Sequence, residues 1–217
     1  RSRGLGDVYK RQVRWSREQL QTCRTTCKPE LVHQSTTGAL GVSLSDINTG
    51  EPTVLQEVDL RSRRVVLDPS VQPELNALTK LAGSNDFSIV GRDLSDRLWL
   101  VAIGSDQKGA EYWLWDRDRQ KPRKLFSVQP RLNDYDLAPM ESLDLKARDG
   151  RRLPAYLTRT PHGGDAPKPL VLLVHGGPQL RDYWGFDGMH QLLANRGYHA
   201  MSVNYRGSTG FGKAHLL

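Results

Sequence analysis

The sequence lacks any long apolar segment. Its longest aliphatic run, from Leu170 to Val174, has five residues, whereas a membrane-spanning helix needs about 20 apolar residues. The basic N-terminus also lacks the apolar centre of a signal peptide. The sequence therefore predicts no membrane span. It favours a cytoplasmic protein over a periplasmic or secreted one, while the compartment and the oligomeric state stay open.

Cysteine is nearly absent as well. The 217 residues contain two, Cys23 and Cys27, and His33 is the only histidine close to them in sequence. A structural zinc site needs about four such ligands. We therefore interpret the pair as ordinary thiols and predict no metal site.

Positive charge is in excess, but it is not concentrated. The formal net charge is +7, and the basic residues are spread along the chain, with small clusters around Arg63 and Arg123. A protein that binds nucleic acid gathers basic residues on one surface and carries a recognisable motif. The sequence has neither feature, so we predict no nucleic-acid partner.

What the sequence does contain falls into three segments. Residues 1–12 show no periodicity that would bury a face, and we interpret them as a non-native leader. Residues 13–140 carry short segments of β-strand character separated by turn residues. Residues 141–217 carry an α/β pattern. Hydrophobic residues make up 37% of the chain and charged residues 25%, a balance that is typical of globular proteins.

The β-rich segment contains recurring hairpins. The predicted strands are residues 40–45, 53–55, 97–103, 112–115 and 123–128, with turns at residues 46–50 and 116–120. An Asp-x5-Pro-x2-Leu pattern begins at Asp46 and again at Asp116, an offset of 70 residues. A repeated hairpin is typical of stacked propeller blades, with a blade or an insertion between the copies; a plain antiparallel sheet is the alternative. Leucine spacing predicts one helix over residues 72–81, ended by Gly83.

The α/β segment begins with a hairpin. Residues 141–147 and 153–158 flank Asp149-Gly150, a strong turn signal. Leu170 to Val174 is continuously aliphatic, which predicts a strand buried on both faces. The next elements are a helix over residues 186–196, with Met189, Leu192 and Leu193 on its apolar face and Gly197 as its stop, and a central strand over residues 200–203.

The loop His175-Gly176-Gly177-Pro178 directly follows the predicted buried strand. In acyl transfer, negative charge builds on a carbonyl oxygen, and losing one backbone N–H donor to that oxygen typically costs about 3–4 kcal/mol. Glycines let the backbone approach closely, and proline fixes the loop exit. In α/β-hydrolases, the loop between the third strand and the first helix supplies one such donor. We interpret the loop as part of an oxyanion hole, with a simple tight turn as the alternative.

A second glycine-rich loop, residues 204–212, follows the next predicted strand. Its spacing matches neither a P-loop nor a dinucleotide-binding motif, so we interpret it as a shaped loop beside the first. Ser208 lies in this loop but outside a G-x-S-x-G context, so it is not a predicted nucleophile. The G-x-S-x-G motif occurs nowhere in the 217 residues.

Together these residues resemble the prolyl oligopeptidase family of serine peptidases, and most of all its acylaminoacyl-peptidase and dipeptidyl-aminopeptidase-like branch. The matching residues are Val174–Pro178, Arg181, Trp184, Gln191, Leu193–Tyr198 and Asn204–Gly210. Upstream, Trp99, Asp106, Tyr112 and Trp115 are similar to the last propeller blades of that branch.

The resemblance implies an α/β-hydrolase fold, incomplete in residues 141–217, preceded by the last blades of a β-propeller in residues 13–140. It implies that short peptides are the substrates, hydrolysed from or near their N-terminus by a serine mechanism that needs no metal or organic cofactor. It implies that the backbone N–H of Gly177 is an oxyanion donor. The residues it implies to shape the loop are His175, Gly176, Pro178, Arg206 and Gly207. Because the triad histidine comes last in this fold's chain order, His175 is not expected to be the base.

The catalytic serine, aspartate and histidine are expected beyond Leu217. We therefore expect the 217-residue chain alone to have no peptidase activity. We also expect an exposed apolar sheet edge and poor solubility. Two other functions stay open: an esterase or lipase with the α/β-hydrolase fold, and a non-catalytic binding protein. The β-rich residues 13–140 favour the peptidase, because simple esterases lack such a segment.

Overall fold

The computed structural model describes residues 11–14, 30–164, 166–177 and 179–217. Cys23, Cys27 and Pro178 therefore lie outside the described residues, as does most of the leader predicted at residues 1–12. The described strands form four sheets. No helix in the described ranges is long and apolar enough to cross a membrane.

The sheets in the first part of the chain are antiparallel. β1 (Arg11–Arg14) pairs with β2 (Glu30–Gln34). β3 (Ala39–Ser45), β4 (Pro52–Val58) and β5 (Ser62–Val66) form a three-stranded sheet. β6 (Asp86–Arg92), β7 (Leu98–Gly104), β8 (Glu111–Asp116) and β9 (Lys121–Ser127) form a four-stranded sheet. We call residues 39–127 the antiparallel half. All five strands predicted here are present, with shifted ends, while β5 and β6 have no predicted counterpart.

The predicted helix of this half is confirmed as α1 (Gln72–Ala82). A short 3-10 turn leads into it, capped by Asp68, which accepts a hydrogen bond from the backbone N–H of Ser70. Gly83 ends the helix at a φ of +63°. The helix turns Leu75 and Leu78 into an apolar core shared with both sheets. The other buried members are Leu44, Val54, Val71, Ala82, Phe87, Trp99, Val101, Ile103 and Trp115.

The two hairpins with the shared Asp-Pro-Leu spacing do not occupy equivalent places. The turn at Asp46 joins the first two strands of the three-stranded sheet, whereas the turn at Asp116 joins the last two strands of the four-stranded sheet. The two sheets begin at Ala39 and Asp86, which are 86 − 39 = 47 residues apart. The 70-residue offset is therefore not the sheet repeat. The two turns share one local feature: each aspartate side chain accepts a hydrogen bond from the backbone N–H three residues later.

Residues 140–217, which we call the mixed-sheet half, follow the predicted order of hairpin, strand, helix and strand. The elements are β10 (Met140–Lys146), β11 (Arg152–Thr158), β12 (Leu170–Leu173), α2 (Gly188–Asn195), β13 (His199–Val203) and α3 (Lys213–Leu216). The sheet order is β10-β11-β13-β12. Only β12 and β13 are parallel, so the loops after these two strands leave the sheet at the same edge.

The prediction that β12 is buried on both faces is wrong for this chain. Leu170 is 52% exposed and Leu172 is 55% exposed. β12 lies at the end of the sheet order, with β13 as its hydrogen-bonded neighbour among the described strands. An aliphatic run marks a surface suited to burial, but burial also needs an element that covers it. Here α2 packs mainly on β13 and β11.

The predicted apolar face of α2 is wrong for two of its three residues, since only Leu193 is partly buried. Met189 is 51% exposed and Leu192 is 44% exposed, while His190, Gln191 and Ala194 are buried. The buried polar side chains are tolerated because each is hydrogen-bonded: His190 to two hydroxyls, and Gln191 to backbone groups at residues 106 and 138. Partners supplied by other strands, which helical spacing cannot reveal, decide which face turns inward.

Candidate active site

Two loops meet at the carboxyl ends of β12 and β13. We call residues 175–180 the glycine loop and residues 204–212 the β13 loop. The parallel pairing of the two strands brings the loops side by side. One backbone hydrogen bond joins them directly, from the N–H of Thr209 to the carbonyl of Leu180 at 2.9 Å.

His175 is held on three sides. Its Nδ1 lies 2.9 Å from the carbonyl oxygen of Gly176, and its Nε2 lies 2.9 Å from Oγ of Ser208. Its ring stacks on Tyr205 at 4.6 Å between centroids, and the Tyr205 hydroxyl donates to the His175 carbonyl at 2.7 Å. Because a carbonyl only accepts, a neutral ring carries its proton on Nδ1 and accepts the Ser208 hydroxyl at Nε2.

The pairing of Ser208 with His175 has the form of a nucleophile and its base, but Ser208 is fully buried. A substrate carbonyl cannot reach a hydroxyl that has no exposed surface. The backbone N–H of Ser208 is also bonded, to the carbonyl of Tyr205 at 2.9 Å. The pair therefore holds the two loops together, which agrees with the sequence-based exclusion of Ser208 as a nucleophile.

Gly177 has the most constrained backbone in the glycine loop. Its φ is +132°, a conformation that residues with a side chain rarely adopt. A Cβ at this position would lie 2.8 Å from the backbone nitrogen of Gln179 and 3.1 Å from that of Leu180. A Cβ at Gly176 would meet nothing within 4 Å. Only the second glycine of the pair is thus required by the backbone, and it is exposed to solvent.

The segment after the glycine loop is fixed by a buried amide. Asn204 accepts a hydrogen bond from the backbone N–H of Asp182 at 2.8 Å and donates to the Asp182 carbonyl at 3.2 Å. Burial raises the pKa of the Asp182 carboxyl, against an opposing influence of His175. Oδ2 of this carboxyl is buried without a hydrogen-bond partner in the described part of the chain.

Arg206 and Gly207 shape the β13 loop in different ways. The exposed Arg206 side chain pairs with Asp149 of the β10–β11 turn at 2.5 Å. Gly207 has a φ of +100°, and its N–H donates to the carbonyl of His215 at 2.8 Å. Nε2 of His215 in turn lies 3.1 Å from the carbonyl of Asn204 and 3.0 Å from that of Tyr205. Burial lowers the pKa of His215.

The structure brings His175, Gly176, Gly177 and Gly207 together at one edge of the sheet, and it places Arg206 on the surface beside them. Sequence reasoning did not assign roles to Asn204, Tyr205, Arg181 or His215. Asn204, Tyr205 and Arg181 were present only as matching residues in the family resemblance, and His215 lies outside those matches. Sequence alone does not separate them from other loop residues, because a polar residue in a loop looks the same whether it is buried or exposed. Within the described ranges, no group of three or more histidine, cysteine or acidic side chains is placed to hold a metal ion.

The chain has clear relatives among known proteins. It is 39% identical to dipeptidyl aminopeptidase BIII of Pseudoxanthomonas mexicana over 193 residues, which cover 86% of this chain and 28% of that protein. It matches the acylaminoacyl peptidase of Pyrococcus horikoshii with a TM-score of 0.50 at 21% identity, over 75% of this chain and 23% of the other. A prolyl endopeptidase structure matches with a TM-score of 0.60 at 16% identity, over 87% of this chain and 27% of the other.

These comparisons differ in what they establish. The two structural matches, at 21% and 16% identity, show the fold alone. The sequence match carries the homology. No protein-family model matches the chain. In each of the three comparisons the chain spans about a quarter of the length of its relative, since it covers 28%, 23% and 27% of them.

Proposed function

The chain belongs to the prolyl oligopeptidase family of serine peptidases, and on that premise we propose that its glycine loop serves as half of the oxyanion hole of a peptidase acting on short peptides. The observation that supports the proposal is the backbone conformation and position of Gly177. This residue is exposed, holds a φ of +132°, and follows the edge strand of a mixed α/β sheet. Its backbone N–H is the oxyanion donor.

The neighbouring residues hold this donor in place. His175 joins the two loops through its ring and its carbonyl. Arg206 and Gly207 set the course of the β13 loop beside the glycine loop. Gly176 and Pro178 are proposed as loop-shaping residues on their place in the sequence, Pro178 lying outside the described residues. A fixed donor stabilises a tetrahedral intermediate more than a mobile one, because no reorganisation is needed when charge develops on the oxygen.

The two parts of the chain on either side of residue 140 take the two domain roles of the family. Residues 13–140 are the last blades of the propeller, and residues 141–217 are the first strands and first helix of the hydrolase domain. The antiparallel sheets over residues 39–127 are consistent with blades. The sheet order β10-β11-β13-β12, with its parallel pair at one end, supports the hydrolase assignment.

The chemistry assigned to these residues is only part of a catalytic cycle. Serine attack on a peptide carbonyl also needs a nucleophile and a base. The 217 residues contain no G-x-S-x-G motif, and Ser208 is buried. We therefore expect the chain by itself not to hydrolyse chromogenic dipeptidyl or acylaminoacyl substrates. Turnover abolished by a serine-directed inhibitor would contradict this expectation.

A chimera tests the oxyanion role directly. The 193 matched residues of dipeptidyl aminopeptidase BIII are replaced by those of this chain, and peptide hydrolysis is measured. Gly177→Ala keeps the backbone N–H but adds a Cβ 2.8 Å from the nitrogen of Gln179 at a φ of +132°, so the donor is displaced and kcat is expected to fall by up to about 10²–10³-fold, the usual cost of one lost oxyanion donor. Gly176→Ala is the matched control, because its Cβ meets nothing within 4 Å.

The same chimera separates the other possible functions. Cleavage of simple esters alone would favour an esterase or lipase over a peptidase. Peptide binding without cleavage of peptides or esters would favour a non-catalytic binding protein. Equal kcat values for the two glycine variants would contradict the role of Gly177 as an oxyanion donor.

A further inference from the structure

One buried cation crosses between the two halves of the molecule. Arg181 comes directly after the glycine loop and is only 9% exposed. Its guanidinium reaches residues 58–61, the turn between β4 and β5, which we call the anchor turn. Nη2 donates to the carbonyl of Asp59 at 2.6 Å, and Nη1 donates to the carbonyl of Val58 at 3.4 Å.

The guanidinium is enclosed on its other sides. Its central carbon lies 4.1 Å from the ring centroid of Phe211 and 4.6 Å from that of Tyr183. A Cβ on Gly210 would lie only 2.6 Å from Nη1. The space thus fits a planar, forked cation between aromatic rings, a shape that the compact ammonium of lysine does not have.

The anchor turn makes further contacts with the mixed-sheet half. Arg152 on β11 pairs with the Asp59 carboxylate at 2.6 and 2.8 Å. Tyr156 on the same strand donates to the carbonyl of Leu60 at 3.0 Å. Arg61 lies 3.4 Å over the ring of Trp184. Of these groups, Arg181 is the nearest in the chain to the glycine loop, and Trp184 follows three residues later.

The chain around Arg181 is clamped on both sides. Leu180 accepts the hydrogen bond from Thr209, and Asp182 is held by the side chain of Asn204. Gly177 lies only four residues before Arg181. Because both flanking residues bond to the β13 loop and Phe211 of that loop packs on the guanidinium, Arg181 belongs to one bonded unit with the two loops.

We propose that Arg181 is a positioning residue that ties the glycine loop to the anchor turn, so that the place of the Gly177 N–H depends on the contact between the two halves. This proposal rests on the proposed function only for the role of that N–H. The mechanical link itself needs no catalysis, and it can be measured without any.

Amide hydrogen exchange on the 217-residue chain is the primary test. In Arg181→Lys, we expect exchange of the Thr209 and Asp182 amides, whose hydrogen bonds hold the glycine loop and the segment after it against the β13 loop, to accelerate about tenfold or more, the size that a local loss of protection produces. Exchange in β7, at the centre of the antiparallel half, is expected to stay unchanged. Arg152→Lys is the matched control: it weakens the same turn through Asp59, and it should leave the Thr209 and Asp182 amides near their original rates.

Two further variants separate the hydrogen bonds from general packing. Arg181→Gly leaves a guanidinium-sized space, and millimolar guanidinium ion is expected to restore slow exchange of the Thr209 and Asp182 amides, whereas ammonium ion is not. Gly210→Ala keeps the arginine but places a Cβ against its Nη1, so it should accelerate exchange of the same two amides. If Arg181→Lys also loses protection in β7, the exchange rates of Gly210→Ala decide the test.

The outcomes are distinct. Unchanged exchange of the Thr209 and Asp182 amides in both Arg181→Lys and Gly210→Ala, or an equal effect of Arg152→Lys, overturns the proposed link. In the chimera, Arg181→Lys is expected to lower kcat about tenfold or more with KM within about twofold, because a misplaced donor weakens the transition state and spares the ground state. An inactive parent chimera refutes the proposed function, while the exchange rates still decide the link.

Discussion

The antiparallel half and the mixed-sheet half are stabilised in opposite ways. The first buries a continuous apolar cluster that includes Trp99, Phe87 and Leu78. In the second, many of the most deeply buried side chains are polar, among them His190, Asn204 and Ser208, while several aliphatic side chains face solvent. The comparison shows that the burial of a side chain depends on the available hydrogen-bond partners as much as on its hydrophobicity.

In the antiparallel half, two arginine side chains pack on aromatic rings of the apolar core. Arg117 lies 4.6 Å over the ring of Trp99 and pairs with Asp96 at 2.7 Å. Arg64 lies 3.4 Å over the ring of Phe87 and donates to that residue's carbonyl. Burial lowers the pKa of Arg64 to about 10, so this side chain still carries its charge at neutral pH.

In the mixed-sheet half, the polar interior places the loops of the candidate site. His190 bridges β11 and β13, with Nδ1 at 3.0 Å from the Thr158 hydroxyl and Nε2 at 2.8 Å from the Ser202 hydroxyl. Buried hydrogen bonds of this kind specify geometry, because leaving one partner unsatisfied costs more than the bond gains.

The largest expected effect is a loss of stability when a central side chain of the apolar core is removed. Trp99 has no exposed surface, so Trp99→Ala should lower the free energy of unfolding by about 3–5 kcal/mol, the usual range for deleting a large buried ring. Urea denaturation followed by far-UV circular dichroism measures it. Trp113, which is only partly buried, is the matched control. Equal losses for the two variants would contradict the assigned core.

A smaller effect with a pH signature is expected at His190. His190→Gln should cost about 1–3 kcal/mol at neutral pH, because one buried hydroxyl loses its partner. Burial lowers the pKa of the folded-state imidazole below its ordinary value of 6.5, against the influence of Asp187 and Asp182. The unfolded chain therefore binds the proton first as the pH falls.

The stability advantage of the parent over His190→Gln should thus be complete above about pH 6.5 and shrink below it, by at most about 1.4 kcal/mol per pH unit. Urea denaturation of both proteins between pH 5 and pH 8 gives this difference directly. His215, whose pKa burial also lowers, is present in both proteins and cancels. Parallel stability curves would show that His190 does not titrate with folding.

The smallest effect on stability is expected at the exposed edge strand. Leu172 is 55% exposed, so Leu172→Lys should change the free energy of unfolding by less than about 0.5 kcal/mol. The same change should reduce self-association, because it places a charge on an apolar sheet edge. Light scattering at increasing protein concentration measures this. A large loss of stability would mean that β12 is covered in solution.

Much of the fold was predictable because it depends on local patterns. The Asp149-Gly150 turn predicted the β10–β11 hairpin, and the leucine spacing with Gly83 predicted α1. The inward face of α2 was not predictable, because Met189 and Leu192 have the spacing of a buried stripe and are nevertheless exposed. That choice depends on the hydroxyls of Thr158 and Ser202, which lie on other strands.

The candidate site also combines features that were predictable from the sequence with features that were not. The sequence by itself determined the His175-Gly176-Gly177-Pro178 loop and its position after an aliphatic strand, because glycine pairs and strand composition are local properties. Only the tertiary structure decided that Gly177 needs a positive φ, that Ser208 is buried against His175, and that Arg181 reaches the anchor turn. The Ser208 and Arg181 contacts join residues more than 30 and more than 100 positions apart, and such long-range contacts arise from packing that no sequence window contains.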